Sequence, residues 1–202
     1  MKTQTLAAIT LAALFGASAA QAQFYGIAGY SNVNPTSDNG VLAGADAEVN
    51  DDWSFTGALG YRFNPNFTAE LGTALVPFKH TVKLDGLGNV ASLKHRPTTV
   101  SMNYQFMADS KFRPYVSLGY GWVSISDEKT QGPLTGLDIN VENSNGLIFG
   151  AGADFTINDN LFFRAELKKL NFDSNVSVET LGNVGKAEVD PLIFGLSLGY
   201  QF

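Results

Sequence analysis

The sequence predicts an all-β protein: an eight-stranded antiparallel transmembrane β-barrel with short periplasmic turns and four longer extracellular loops. Two observations predict this fold class. Eight segments of about ten residues alternate between large apolar side chains and small or polar ones, which is the period of a strand with one apolar face. The connections alternate between tight turns and long polar segments, as they do in barrels of the Gram-negative outer membrane. That membrane is therefore the predicted location.

The first 22 residues have the pattern of a cleaved secretory signal peptide. Lys2 precedes an apolar stretch from Leu6 to Phe15, and Ala20-Gln21-Ala22 follows as an A-x-A cleavage motif. The apolar stretch is too short to span a bilayer, although a retained anchor helix is the alternative. We expect cleavage after Ala22, which leaves residues 23–202 as one domain, the barrel.

Composition agrees with a barrel and excludes other classes. The mean hydropathy is +0.01, as expected when apolar and polar residues alternate along strands. The absence of cysteine excludes a disulfide scaffold and thiolate metal sites. The formal net charge of −6 argues against nucleic acid as a partner.

The clearest strand is the last one, in which every second residue from Leu192 to Phe202 is large and apolar. A final strand that ends in phenylalanine is typical of outer-membrane barrels, so we expect Phe202 to act as an assembly signal for the barrel-assembly machinery. In the segment from Leu161 the alternation is lost at Lys169-Leu170, where a bulge or the end of the embedded part would account for it. The other predicted strands are Phe24 to Val33, whose phase is ambiguous, Trp53 to Phe63, Phe67 to Phe78, Val100 to Phe106, Val116 to Trp122, Leu147 to Ile157 and Leu161 to Phe172.

The connections and the two strand faces distinguish a membrane barrel from a soluble one. Short turns rich in Asn, Asp and Pro are predicted at 64–66, 108–111 and 158–160, and long polar loops at 34–52, 79–96, 127–145 and 173–189. A soluble eight-stranded barrel would turn its apolar face inward. Glycine, serine and the charges share the smaller face, and aromatic residues recur at strand ends, which favours the inverted arrangement.

The lumen of such a barrel is only wide enough for side chains to fill it. We expect an ion-pair network that plugs the periplasmic half, since buried charges need partners. It either stabilises a filled barrel or takes part in solute passage. Inward glycines such as Gly72 either leave a void or relieve curvature. The charged residues predicted to face inward are Arg62, Glu70, Asp154, Arg164, Glu166 and Lys168.

Two further features bear on chemistry. Pro77 lies late in the third predicted strand and cannot donate to a β-ladder, so it marks either a break in the wall or a bulge at the loop rim. His80 and His95 are the two histidines, and their spacing does not resemble a metal site. No catalytic grouping stands out, and we expect neither enzyme activity nor a cofactor.

Several motifs together resemble the outer-membrane protein W family, which includes proteins linked to alkane uptake. The resemblance implies an eight-stranded barrel that lets small hydrophobic molecules cross the lipopolysaccharide layer passively and leave sideways through the barrel wall. Outer-membrane lipid, lipopolysaccharide and a small solute are the implied partners. The motifs are Tyr61-Arg62-Phe63 with Asn66 and Glu70-Leu71, Pro77-Phe78-Lys79-His80, Lys94 to Thr98, Tyr104-Gln105-Phe106, Lys111 to Val116, Gly152 to Phe155 with Ile157-Asn158, Asp190-Pro191 and Gly199 to Phe202.

Where the resemblance implies bulky apolar side chains in the lumen, this chain has Gly72 and Lys168. A lumen of glycine and charge would favour small polar solutes, so a polar channel remains an alternative. A third hypothesis is a filled barrel that displays its loops, for stress tolerance, adhesion or as a phage or colicin receptor. The candidate residues of a substrate path, which include an apolar pocket expected near the outer mouth, are Gly72, Val76, Pro77, Phe78, Ile148, Phe162, Lys168 and Ile193.

Overall fold

The computed structural model describes residues 23–35, 41–42, 44–178, 182–188 and 190–202, so the predicted signal peptide lies outside the described residues. No helix in this part of the chain is long and apolar enough to cross a membrane. The strands, in chain order, are β1 (Phe24–Pro35), β2 (Val41–Leu42), β3 (Ala45–Val49), β4 (Asp52–Arg62), β5 (Phe67–Ala74), β6 (Phe78–Leu84), β7 (Gly88–Gln105), β8 (Phe112–Thr130), β9 (Ile139–Val141), β10 (Ser144–Thr156), β11 (Leu161–Leu170), β12 (Asp173–Val178), β13 (Gly182–Glu188) and β14 (Pro191–Gln201).

Eight of these strands close into an antiparallel barrel in the order β1, β4, β5, β7, β8, β10, β11 and β14. The first and last strands pair from Tyr25 with Gln201 to Pro35 with Pro191. The pairing of β7 with β8 completes the ring. A closed ring leaves no unpaired edge, which is the condition for a sheet to stand in lipid. The predicted fold class is confirmed.

The apolar face of each barrel strand points outward. Along β14, Leu196, Leu198 and Tyr200 are 40%, 52% and 49% exposed. Aromatic rings form a girdle at each end of this belt: Tyr30 stacks on Trp53 at 5.2 Å near the extracellular end, and residues of the other girdle include Tyr61, Phe67, Tyr104 and Phe202. Such girdles mark the two interfaces of a bilayer, which excludes the soluble barrel.

The loops expected to be polar are built largely from strands and enclose an apolar core. β7 and β8 are 18 and 19 residues long, well beyond the embedded length, and β6 pairs with the upper part of β7. β12 pairs with β9 and β13 in a second small sheet. The apolar core joins these elements on the extracellular side and contains Leu42, Ala47, Leu84, Val90, Ala91 and Val176.

The ambiguous segments of the sequence have local explanations. Small residues on both faces of β1 obscure its phase, but Tyr25 and Val33 point inward and are 1% exposed. At Lys169-Leu170 there is no bulge, because β11 keeps its register with both neighbours. Leu170 points inward, and Lys169 bonds the carbonyl of Asp190 beyond the apolar belt, so the embedded part ends there.

Candidate functional site

A network of buried charges fills the periplasmic half of the lumen. Arg164 of β11 lies at its centre with 2% of its side chain exposed. Its Nε donates to Asp154 Oδ1 at 2.6 Å and its Nη2 donates to Asp154 Oδ2 at 3.0 Å. Its Nη1 donates to Glu70 Oε1 at 2.5 Å. These charge-assisted bonds compensate for the hydration that the guanidinium loses.

The network extends in both directions from this centre. Toward the periplasmic turns, Arg62 donates to Gln105 at 2.7 Å, and Gln105 donates to Asp154 at 2.8 Å. Toward the extracellular side, Lys168 donates to Glu166 at 2.9 Å. The structure therefore places all six charged residues predicted for the lumen inside it.

Three aromatic rings complete this plug, and each lies over a glycine of the neighbouring strand. The cross-strand pairs are Tyr25 with Gly60, Tyr115 with Gly152 and Phe162 with Gly199. A Cβ atom on Gly60 would lie 2.0 Å from the Tyr25 ring, and one on Gly199 would lie 2.1 Å from the Phe162 ring. These glycines make room for aromatic rings. The sequence had suggested two other roles for inward glycines, to leave a void or to relieve curvature.

Above the plug lies a small cavity of about 70 Å³ with mixed chemistry. Lys168 and Glu166 stand at its charged end. Its hydroxyl groups include those of Ser31 and Thr56, whose oxygen atoms are 2.9 Å apart, and those of Thr73, Thr99 and Ser197. Gly72 contributes to its wall without a side chain, so the lower cavity offers hydrogen bonds close to the predicted path residues.

Farther out, a larger cavity of about 170 Å³ lies between the barrel mouth and the extracellular strands. Leu84, Val90 and Ile139 line it from the loops, and Val123 and Ile193 line it from the barrel. Engineered apolar cavities of roughly 150 Å³ stay dry and bind benzene, so this upper cavity is of a size and character that suit a small apolar molecule.

Apolar side chains separate the two cavities. Phe78 is fully buried against Val33, Ala74 and Ile193. Ile148 is also fully buried and packs in a second cluster with Val123, Leu170 and Phe172. Because Ile193 lines both cavities, this level is a constriction between an apolar upper chamber and a polar lower one.

The barrel wall is interrupted beside this constriction. Thr73 pairs with Thr98 and Phe78 pairs with His95, so the four residues of 74–77 lie opposite only two residues of β7, Arg96 and Pro97. Pro77 and Pro97 both lack an N–H group, which removes a ladder donor on each side. The segment is therefore a bulge and also a break in the β5–β7 ladder.

On its other side, toward β4, the interrupted segment is held partly by side chains in place of a ladder. Ser54 Oγ donates to the carbonyl of Val76 at 2.7 Å, and the Asp52 carboxylate accepts from the backbone N–H of Lys79 at 2.7 Å. The backbone bonds to β4 in this region join the N–H groups of Leu75 and Val76 to the carbonyl of Phe55, at 2.8 Å and 3.4 Å. This side-chain seam is a weak line in the wall, because local opening requires few backbone bonds to break.

Three stacked rings stand between the break and the upper cavity. His95 lies with its ring centroid 5.2 Å from that of Phe78 and 4.6 Å from that of His80. Both imidazoles line the upper cavity. The stack thus makes one wall of the cavity on the side where the barrel ladder is interrupted.

The structure does not bring all candidate path residues together. Val76 is 49% exposed on the outer surface and lies outside the lumen. We expected Phe162 to line an apolar pocket near the outer mouth, and this expectation is wrong. Phe162 belongs to the periplasmic plug, where the Arg164 guanidinium lies 5.7 Å from its ring centroid. Phe78, Ile148 and Ile193 do meet at the constriction. Phe202 lies at the periplasmic end, where its N–H bonds the carbonyl of Phe24 at 3.0 Å.

The sequence interpretation missed the loop residues that line the upper cavity. A signal for part of them was present, because Phe78, His80, Val82 and Leu84 share the inward face of β6. Their alternation was overlooked because Lys79, Thr81 and Lys83 made the segment resemble a polar loop. Arg113 was also missed, although it lies 4.0 Å from Asp154 in the plug.

The described residues include no group of three or more His, Cys, Asp or Glu side chains that could hold a metal ion. The site consists of a charged plug, the lower and upper cavities and the side-chain seam. A closed eight-stranded barrel with a lipid-facing belt and a charged plug defines the class of small outer-membrane barrels.

Comparison with known proteins makes this class specific. The OmpW family model matches residues 16–202, and the chain belongs to this family of the Gram-negative outer membrane. It is 30% identical to outer membrane protein W of Vibrio cholerae over 98% of this chain and 95% of that protein. It is 27% identical to outer membrane protein AlkL of Ectopseudomonas oleovorans over 81% of this chain and 72% of that protein.

Two further relatives bear on structure and function. The crystal structure of OprG from Pseudomonas aeruginosa has a TM-score of 0.78 at 28% identity, covering 90% of this chain and 97% of that one. A Pseudomonas aeruginosa protein of 26% identity, covering 80% of this chain and 77% of that protein, is named dibenzothiophene metabolism operon protein PahQ.

Proposed function

We propose that this barrel mediates the passive passage of small hydrophobic molecules across the outer membrane, with lateral exit through the wall. One observation carries the proposal: the apolar upper cavity lies beside residues 74–77, where the β5–β7 pairing has ended and the β6–β7 pairing has not begun. A solute in this cavity has the charged plug below it and lipid beyond the seam. For an apolar solute, transfer into lipid is the favourable direction.

The plug supports the lateral route over an axial one. Arg164, Asp154 and Glu70 are almost fully buried and bonded to one another, so an apolar solute would have to displace charge pairs to reach the periplasm. The name of the dibenzothiophene operon relative adds support for an apolar, ring-containing solute. The lower cavity, with its hydroxyl groups and Lys168, is the feature that favours the polar-channel alternative.

The seam is tested by Pro77→Val, a change to a good strand former that restores a backbone N–H. We expect slower entry of naphthalene into vesicles whose outer leaflet is lipopolysaccharide, because the restored donor makes the wall easier to close. Pro133→Val, at an exposed position in the 3-10 turn Gly132–Leu134, is the matched control and should leave entry unchanged. Unchanged entry in Pro77→Val would contradict lateral exit at this position.

A further inference from the structure

His80 carries a hydrogen-bond acceptor in the wall of the apolar upper cavity. Its Nδ1 lies 2.7 Å from the carbonyl oxygen of Asn50. A carbonyl oxygen can only accept, so Nδ1 carries the proton and donates it. Burial lowers the pKa of His80, which keeps the imidazole neutral. A neutral imidazole has one proton, and Nε2 is therefore left with a free lone pair.

No described residue satisfies this lone pair. His80 is 4% exposed, and its Nε2 is buried without a hydrogen-bond partner. The nearby imidazole of His95 cannot donate to it, because the two rings lie face to face with an interplanar angle of 18°. A buried acceptor without a partner is unfavourable, and such atoms in a binding cavity are commonly satisfied by what binds there.

Two other polar groups that line this cavity are already engaged. Glu128 Oε1 accepts from the backbone N–H of Val141 at 2.9 Å. Ser92 Oγ accepts from Gln131 Nε2 at 3.0 Å. A buried water needs two to four polar partners, and beside His80 the lining is mainly Leu, Val and Ile, with the ring of His95 stacked face to face on that of His80. An apolar body that carries one donor matches the cavity better than water does.

We propose that the upper cavity binds apolar molecules with a single hydrogen-bond donor, alcohols or phenols, whose O–H donates to Nε2 of His80. The inference rests on the proposed function, because it names the solute class that the same cavity selects. It makes His80 the specificity-determining residue, with β6 and the carbonyl of Asn50 holding the ring in position.

Two probes separate the donor from the apolar body: 2-naphthol has an O–H group, and 2-methoxynaphthalene has the same ring system without the donor. Binding is measured near neutral pH to the full chain in lipid nanodiscs, after subtraction of partition into empty nanodiscs. One net hydrogen bond predicts about two- to tenfold tighter binding of 2-naphthol. His80→Phe should remove this preference, and His95→Phe, the matched change in the adjacent ring, should retain it.

The outcomes distinguish the inference from the proposed function. Equal binding of both probes to the wild type would overturn the role of His80 and leave the apolar cavity intact. Binding of neither probe above empty nanodiscs would contradict the proposed function as well. The ¹⁵N resonance of Nε2 in the wild-type protein gives a measurement that does not depend on a variant folding. It should shift with 2-naphthol only, and the absence of that difference would overturn the inference.

Discussion

At the scale of single residues, the lumen contains an arginine that is almost fully buried, together with the groups that compensate for its lost hydration. Arg164 bonds two carboxylates, and its guanidinium lies 4.7 Å from the ring centroid of Tyr115. Tyr25 donates to Glu70 at 2.6 Å and so occupies a lone pair that the arginine leaves free. Each buried charge therefore depends on the presence of the others.

Arg164→Met should strongly destabilise the barrel, because it leaves Asp154 and Glu70 buried without their main partner. We expect a loss of about 3–5 kcal/mol, measured by urea unfolding in lipid vesicles. Lys83→Met removes a cation from an exposed pair with Glu48 at 3.2 Å and should cost at most about 1 kcal/mol. Similar effects of the two changes would show that the plug does not stabilise the fold.

Gly60→Ala should also destabilise the barrel, because the added Cβ would occupy the place of the Tyr25 ring. Overpacking of this kind costs about 1–3 kcal/mol. Gly26→Ala is the matched control, since its Cβ would meet nothing nearer than 3.8 Å. Equal unfolding midpoints for the two variants would mean that the ring moves freely, and the role assigned to this glycine would be wrong.

At the scale of elements, the extracellular hairpin of β6 and β7 shapes the upper cavity and borders the seam. Its inward face carries Phe78, His80 and Leu84, all of which are buried. Asn50, which follows β3, holds β6 by two hydrogen bonds. Its backbone carbonyl accepts from His80, and its side-chain oxygen accepts from the backbone N–H of Thr81. Because His80 is buried in this hairpin, the packed state favours the neutral imidazole.

That preference predicts an effect of pH on the hairpin. Burial lowers the pKa of His80 below its ordinary value of 6.5, so the opened hairpin binds a proton that the packed one does not. Packing is therefore most favourable above pH 6.5 and weakens as the pH falls below that value. Amide hydrogen exchange of residues 78–84, corrected for intrinsic rates, should accelerate on acidification. The change should be smaller in His80→Leu, and an equal change in both proteins would contradict the role of this residue.

The elements also show what could be predicted from the sequence. Alternation located all eight barrel strands, because one face of each meets lipid along its whole embedded length. The same alternation predicted the charged lumen, because Arg164 and Glu166 lie on the face of β11 opposite its apolar face. The full lining of the upper cavity could not be predicted, because Leu42, Val90 and Val176 come from three separate loops and meet only through tertiary pairing. Phe162 was misplaced because strand phase gives the face of a residue but not its depth.

At the scale of the whole molecule, chemistry changes along the barrel axis. The extracellular strands enclose an apolar chamber, Phe78 and Ile193 form a constriction, and charges with aromatic rings seal the periplasmic end. The seam lies at the level of the constriction, between the chamber and lipid. We propose that a molecule of this design accepts apolar solutes from outside and delivers them to the bilayer without opening a path for ions or water.

The proposed passage of apolar solutes is tested most directly by comparing the entry of naphthalene and of glycine into vesicles with a lipopolysaccharide outer leaflet. Vesicles with and without the purified protein are measured side by side. We predict that the protein accelerates the entry of naphthalene and leaves that of glycine unchanged, because the plug closes the axial route. Entry of naphthalene at the rate of protein-free vesicles, or accelerated entry of glycine, would contradict the account.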